Sequence, residues 1–245
     1  MRLVAALLLV VVLGGCFQVA SVLTVRPDGS AVLRDEVTLS GMALLALEEA
    51  REDEGPFSRA EMVARADALG EGVRLLSVEA RDDGYTALYT VDDVRQIRYA
   101  TPAPDAGSDA AGGIALSFGF DEGDPSVLRV FVPKPPAAKP TEPAAEIDSV
   151  AQARALGMVR GVLSDARVTV TIEVEGDVVD TNATTVDGPR ITVYDVPFDV
   201  LLDAMEKDPA LGAGGSPDPA AVLSTLRAVE GLTIPAPGTI RVRFR

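Results

Sequence analysis

Between Arg167 and Glu175 the chain alternates without a break. Val168, Val170, Ile172 and Val174 are apolar, while Arg167, Thr169, Thr171, Glu173 and Glu175 are polar. Side chains on a strand point to opposite faces in turn, so a strict period of two dictates a half-buried strand. It rules out a helix, whose apolar stripe repeats every 3.6 residues. The same period recurs elsewhere. Phe17, Val19, Leu23 and Val25 share one parity, and Leu33, Val37 and Leu39 continue the pattern after Arg26-Pro27-Asp28-Gly29. Pro presets φ at the first turn position and Gly accepts a positive φ, so these two runs form a hairpin. Further strands are predicted at 73–80 and 85–91, joined by Asp82-Asp83-Gly84, and at 114–120, 127–132, 178–180 and 191–193. The chain ends on a strand with Ile240, Val242 and Phe244 facing in. Arg241, Arg243 and Arg245 face out, where they are expected to meet Glu173 and Glu175 across the sheet.

Helices are predicted between these strands, the first over 41–51. Ser58-Arg59-Ala60-Glu61 fits a capping box, with Met62, Ala66 and Leu69 on one face and Gly70 as the stop. Leu156, Val159 and Leu163 mark a helix over 149–163. Pro197 opens a helix running to 205, and Asp218-Pro219 opens another running to 229. The expected fold is α+β, an antiparallel sheet of hairpins with four or five helices packed on it. Residues 17–245 form a single domain. Stretches rich in Pro, Ala and Gly near 101–113 and 133–146 are expected to be flexible insertions.

The start of the chain sets its location. Arg2 is followed by an uncharged apolar run from Leu3 to Leu13, then Gly14, Gly15 and Cys16. Eleven apolar residues are too few for a helix crossing a hydrocarbon core of about 30 Å. A basic start, a short apolar stretch and small residues before a cut read as a secretory signal over 1–15. Leu13-Gly14-Gly15-Cys16 resembles the lipobox of bacterial lipoproteins. That resemblance implies cleavage before Cys16, a diacylglyceryl group on its thiol and an acyl chain, such as palmitate, on the new amine. The body would then stand outside the cytoplasm, held to a membrane of the cell envelope by lipid. Phe17 occupies the position where an Asp holds some lipoproteins at the inner membrane, so the resemblance points to the outer one.

Composition narrows the chemistry. A formal charge of −15 disfavours nucleic acid and anionic headgroups as broad partners. The single Cys is consumed by the anchor, which excludes a disulfide framework. The absence of His excludes Ser-His-Asp and Cys-His nucleophile systems and His-bearing zinc sites. No phosphate-binding glycine loop or Gly-x-Ser-x-Gly elbow occurs. Asp121, Glu122 and Asp124 are of calcium-ligand type, but their spacing does not complete an EF-hand loop and reads as a solvated acidic turn. Asn182-Ala183-Thr184 matches a glycosylation acceptor and reads as turn chemistry.

Two further stretches carry a resemblance. Leu23 to Ser30 forms the opening hairpin, and Gly176-Asp177-Val178-Val179-Asp180-Thr181-Asn182 follows a Val-rich strand. This layout is similar to the mycobacterial LppM-like lipoproteins, where such segments belong to an α+β domain linked with envelope lipids. The resemblance carries over no functional residue.

The expectation is a membrane-anchored, non-enzymatic envelope lipoprotein, without cofactor or metal, that binds lipid or a protein partner. Ala115, Ser117 and Gly119 form the small face of a strand whose other face is large and apolar, a candidate groove. The alternative is a carboxylate- or metal-dependent hydrolase. It needs two or more of Asp92, Asp93, Asp121, Asp124, Glu173 and Asp180 to converge with raised pKa values.

Overall fold

The structure is a computed structural model that describes residues 17–39, 57–100, 115–134, 157, 159–161, 163, 165–208, 211 and 219–245. The signal segment, Cys16, the helix expected over 41–51 and nearly all of both Pro/Ala/Gly-rich stretches lie outside the described residues. Most of the helix expected over 149–163 does too.

In chain order the elements begin with β1 (Phe17–Val25), β2 (Ala31–Leu39), α1 (Arg59–Leu69), β3 (Val73–Arg81) and β4 (Gly84–Val91). A 3-10 turn (Val94–Gln96) precedes β5 (Arg98–Ala100), β6 (Ala115–Asp121), β7 (Ser126–Val132), β8 (Arg167–Val174) and β9 (Val178–Thr181). The rest are β10 (Val186–Asp187), β11 (Arg190–Pro197), α2 (Phe198–Lys207), α3 (Pro219–Arg227) and β12 (Gly238–Phe244).

These strands build two sheets, one of seven strands in the order β10-β11-β8-β1-β2-β4-β3 and one of five in the order β5-β6-β7-β12-β9. This corrects the expected α+β fold. The architecture is predominantly β, with two sheets rather than a single one under a layer of helices. Nor is the larger sheet purely hairpins, because β1 pairs parallel with β8, Val19 opposite Val168 and Val25 opposite Val174. A parallel pair has no connecting turn to announce it in the sequence. The C-terminal arginines are corrected for the same reason. β12 lies between β7 and β9 in the smaller sheet, so Arg241 meets Asp180, while Glu173 pairs with Arg190 and Glu175 with Arg26.

One core joins the sheets. Val25, Leu33, Tyr89, Ile172 and Ile191 from the larger and Leu128, Val130, Val242 and Phe244 from the smaller are fully or almost fully buried within it. The β1–β2 turn closes where Gly29 adopts a φ of 82°, and a Cβ there would meet the Phe120 ring at 2.8 Å. Gly84 is needed for space. A Cβ on it would lie 1.9 Å from the Val37 carbonyl oxygen of the neighbouring strand. α1 is capped as the sequence predicts: Ser58 Oγ accepts from the Glu61 amide and Glu61 accepts from the Ser58 amide, while Met62, Ala66 and Leu69 are buried.

Candidate functional site

Two inward positions of the first hairpin are polar. Ser21 on β1 and Asp35 on β2 sit directly opposite each other, and both are buried. An ionised carboxylate in such a place must be paired and hydrogen-bonded. The Ser21 hydroxyl donates to Asp35 Oδ1 at 2.6 Å, and Tyr99 Oη donates to Ser21 Oγ at 2.7 Å. Arg65, from the inner side of α1, donates to Asp35 Oδ2 through Nε at 2.7 Å, and its Nη2 lies 2.6 Å from the same oxygen. Arg65 also reaches the Ala100 carbonyl. The bonds converge on Asp35, from Tyr99 through Ser21 on one side and from Arg65 on the other, and tie β1, β2, α1 and β5 together.

Burial would push the Arg65 pKa down, but the charge and hydrogen bonds of Asp35 outweigh it and the pKa is raised. The tyrosines around this charge pair are shifted the other way from easy ionisation. Burial, with Asp35 adding to it, raises Tyr85 to about 12 and raises Tyr89 and Tyr99 as well. Beside this cluster lies a cavity of about 10 Å³, lined by Ser21, Leu23, Tyr99, Leu116, Phe118 and Ile172 among others. That is room for one water at most. The cluster is a buried polar tie between elements, and the cavity beside it has no room for a substrate.

The sequence reading did not single out Ser21, Asp35 or Arg65. A signal for them existed. Ser21 and Asp35 fall on the inward parity of two strands otherwise occupied by Val19, Leu23, Leu33 and Val37. Arg65 follows Met62 by three residues on the buried side of a helix.

The residues that were singled out lie elsewhere. Cys16, Leu13, Gly14 and Gly15 are outside the described residues. Ala115, Ser117 and Gly119 do share one face of β6, opposite the buried Leu116, Phe118 and Phe120. That face is partly filled from its own sheet. The Phe131 ring, itself 39% exposed, leans over Gly119, where a Cβ would come within 3.2 Å of it.

Four of the six carboxylates, Asp92, Asp93, Asp121 and Asp124, lie at the turn end of the sheets, Glu173 and Asp180 lie on β8 and β9, and all but Asp124 are engaged by an arginine. Asp92 pairs with Arg74 and Asp93 with Arg95, each at 2.6 Å. Asp121 pairs with Arg129, and Glu173 and Asp180 bond Arg190 and Arg241 at 3.3 Å. Hydrogen bonds from Arg95 and Arg129 hold Asp93 and Asp121 below the usual carboxylate range, the reverse of a general acid. Among the described residues, no three acidic or thiol groups gather as a metal site would require. Asn182 is committed to the fold: its side chain accepts from the Arg241 amide at 2.6 Å and donates to the Thr239 carbonyl at 3.0 Å.

No protein-family model matches the chain, and no curated protein matches it either. Among solved structures it is similar to the folded domain of LppM from Mycobacterium tuberculosis, determined by NMR. The two are 11% identical with a TM-score of 0.34, over 95% of this chain and 91% of that one. A similarity so slight carries neither fold nor activity from one to the other. Among the described residues, no helix is long and apolar enough to cross a membrane.

Proposed function

We propose that the chain is a non-enzymatic lipoprotein of the bacterial cell envelope, anchored through acylated Cys16, whose β body binds lipid or a protein partner at the membrane surface. The observation that carries this reading is the start of β1. Phe17, the residue after Cys16, is already paired with Leu39 in the middle of the larger sheet. A cut before Cys16 leaves β1 whole and makes the lipidated residue the one directly before its first residue. The expected location is the outer membrane, since Phe17 is not the retaining Asp.

Among the described residues the cavity beside Ser21 is too small for an acyl chain, which favours the exterior of the body as the place for a lipid. The outer face of the smaller sheet, with Phe131 and the small residues Ala115, Ser117 and Gly119, is its candidate docking place. The hydrolase alternative draws no support from carboxylates that are paired with arginines and, at Asp93 and Asp121, held below the usual range rather than above it.

The test uses full-length protein and its Cys16→Ala variant expressed in a bacterium and fractionated, with alkyne-palmitate labelling. Labelled wild type in the membrane fraction and unlabelled, released variant support the anchor. Equal partition of both proteins contradicts it. Native mass spectrometry of residues 17–245 exposed to phospholipid vesicles tests the lipid partner. Lipid adducts support the lipid partner, and a bare mass counts against it.

A further inference from the structure

The absence of a spacer between Cys16 and β1 constrains more than location. We infer that one end of the larger sheet is the protein's bilayer-facing surface, with β1 standing along the membrane normal and the opposite end held away from the headgroups. The partner of that end is the leaflet that holds the acyl chains of Cys16. This inference rests on the anchored reading above.

Consecutive Cα atoms lie about 3.8 Å apart, so Cys16 stays within one residue of the sheet. Phe17 has no slack to absorb a rotation. It pairs with Leu39 on β2, and the next residue, Gln18, pairs with Arg167 on β8. Three further features gather at this end. The Leu39 amide donates to the Asp83 carbonyl, bringing in the β3–β4 turn. Pro197 pairs with Arg167, bringing in the end of β11. The Phe198 ring, at the start of α2, packs edge-on against Phe17 with centroids 5.5 Å apart. Phe17, Leu39 and Phe198 are only half-buried, so this rim offers apolar and aromatic groups at the depth where such rings settle in a bilayer interface.

The far end is made of charged turns. It collects Asp28, Asp92, Asp93, Asp121, Glu122, Asp124, Glu175 and Asp177 around the β1–β2 and β6–β7 turns. These turns are neighbours, since Ser126 Oγ donates to the Pro27 carbonyl. Four of these are paired with arginines, Glu175 with Arg26, Asp92 with Arg74, Asp93 with Arg95 and Asp121 with Arg129, and the near end has its own acidic turn at Asp82 and Asp83, so it is the apolar rim and the anchor, not charge, that set the near end apart. With nine residues in β1 at about 3.3 Å each, the far end stands roughly 30 Å from the anchor.

The only native Cys is consumed by lipidation, so an introduced one is the sole thiol of the mature protein. Full-length Asp83→Cys and Glu122→Cys, purified as lipoproteins and labelled with an environment-sensitive fluorophore, are inserted into vesicles. The vesicles are phosphatidylethanolamine and phosphatidylglycerol with nitroxide on the headgroups. Asp82→Cys replaces Asp83→Cys if the latter fails to fold. The expected result is several-fold stronger quenching at the β3–β4 turn than at Glu122. Equal or reversed quenching with Cys16 acylated, as read by mass on the same samples, overturns the orientation alone. An unmodified Cys16 overturns both the anchor and the orientation built on it.

Discussion

At the scale of single residues, Asp35 is the most demanding group in the chain. Its carboxylate is wholly buried and takes bonds from Ser21 and Arg65, while Arg65 itself is only 15% exposed. Removing one partner strands the other charge, so Asp35→Ala is expected to cost about 3–5 kcal/mol in urea denaturation. Replacing both with apolar residues of similar volume, Asp35→Leu with Arg65→Met, is expected to restore most of that loss. A double variant as unstable as the single one would show that the pair contributes beyond mutual neutralisation.

The tyrosines give a pH signature at the same scale. All four, Tyr85, Tyr89, Tyr99 and Tyr194, have pKa values raised by burial. A raised folded pKa contributes stability that is complete below the unfolded value of about 10 and is lost as pH rises through the folded one. Stability is therefore expected to be flat to about pH 9.5 and to fall steeply toward pH 12. Phenolate absorbance should rise together with unfolding. Early ionisation of native tyrosines near pH 10 would contradict their burial.

At the scale of elements, backbone proximity sets the sharpest limits. Gly84→Ala forces a methyl against the Val37 carbonyl and is expected to cost about 1–3 kcal/mol or more. Gly123→Ala, whose Cβ would meet Pro125 at an ordinary 3.4 Å, should be within about 0.5 kcal/mol of wild type. Ser58→Ala removes the side-chain half of the α1 cap and should cost about 1 kcal/mol. Thermal melts of the three variants check this order. The elements themselves were largely legible in the sequence, because alternation in β1, β6, β8 and β12 and the capping box of α1 are local signals. Their partners were not. β1 meets β8 about 150 residues away, and β12 leaves β8 for β7 and β9, with no turn residue recording either choice. The buried site was half legible. Ser21 and Asp35 break an apolar parity, but only the packing of α1 brings Arg65 to them.

At the scale of the whole molecule, β1 is both a central strand and the point of attachment. Parallel pairing with β8 and antiparallel pairing with β2 make it the link between distant parts of the chain. A chain beginning after Val25 is therefore expected to lose cooperative unfolding altogether, as read by circular dichroism, rather than merely to detach from the membrane. The central claim concerns how that strand begins. Full-length protein expressed in a bacterium and extracted from its membranes should give an intact mass starting at Cys16 with a diacylglyceryl group and an added acyl chain. A mass that retains residues 1–15, or an unmodified Cys16, would contradict it.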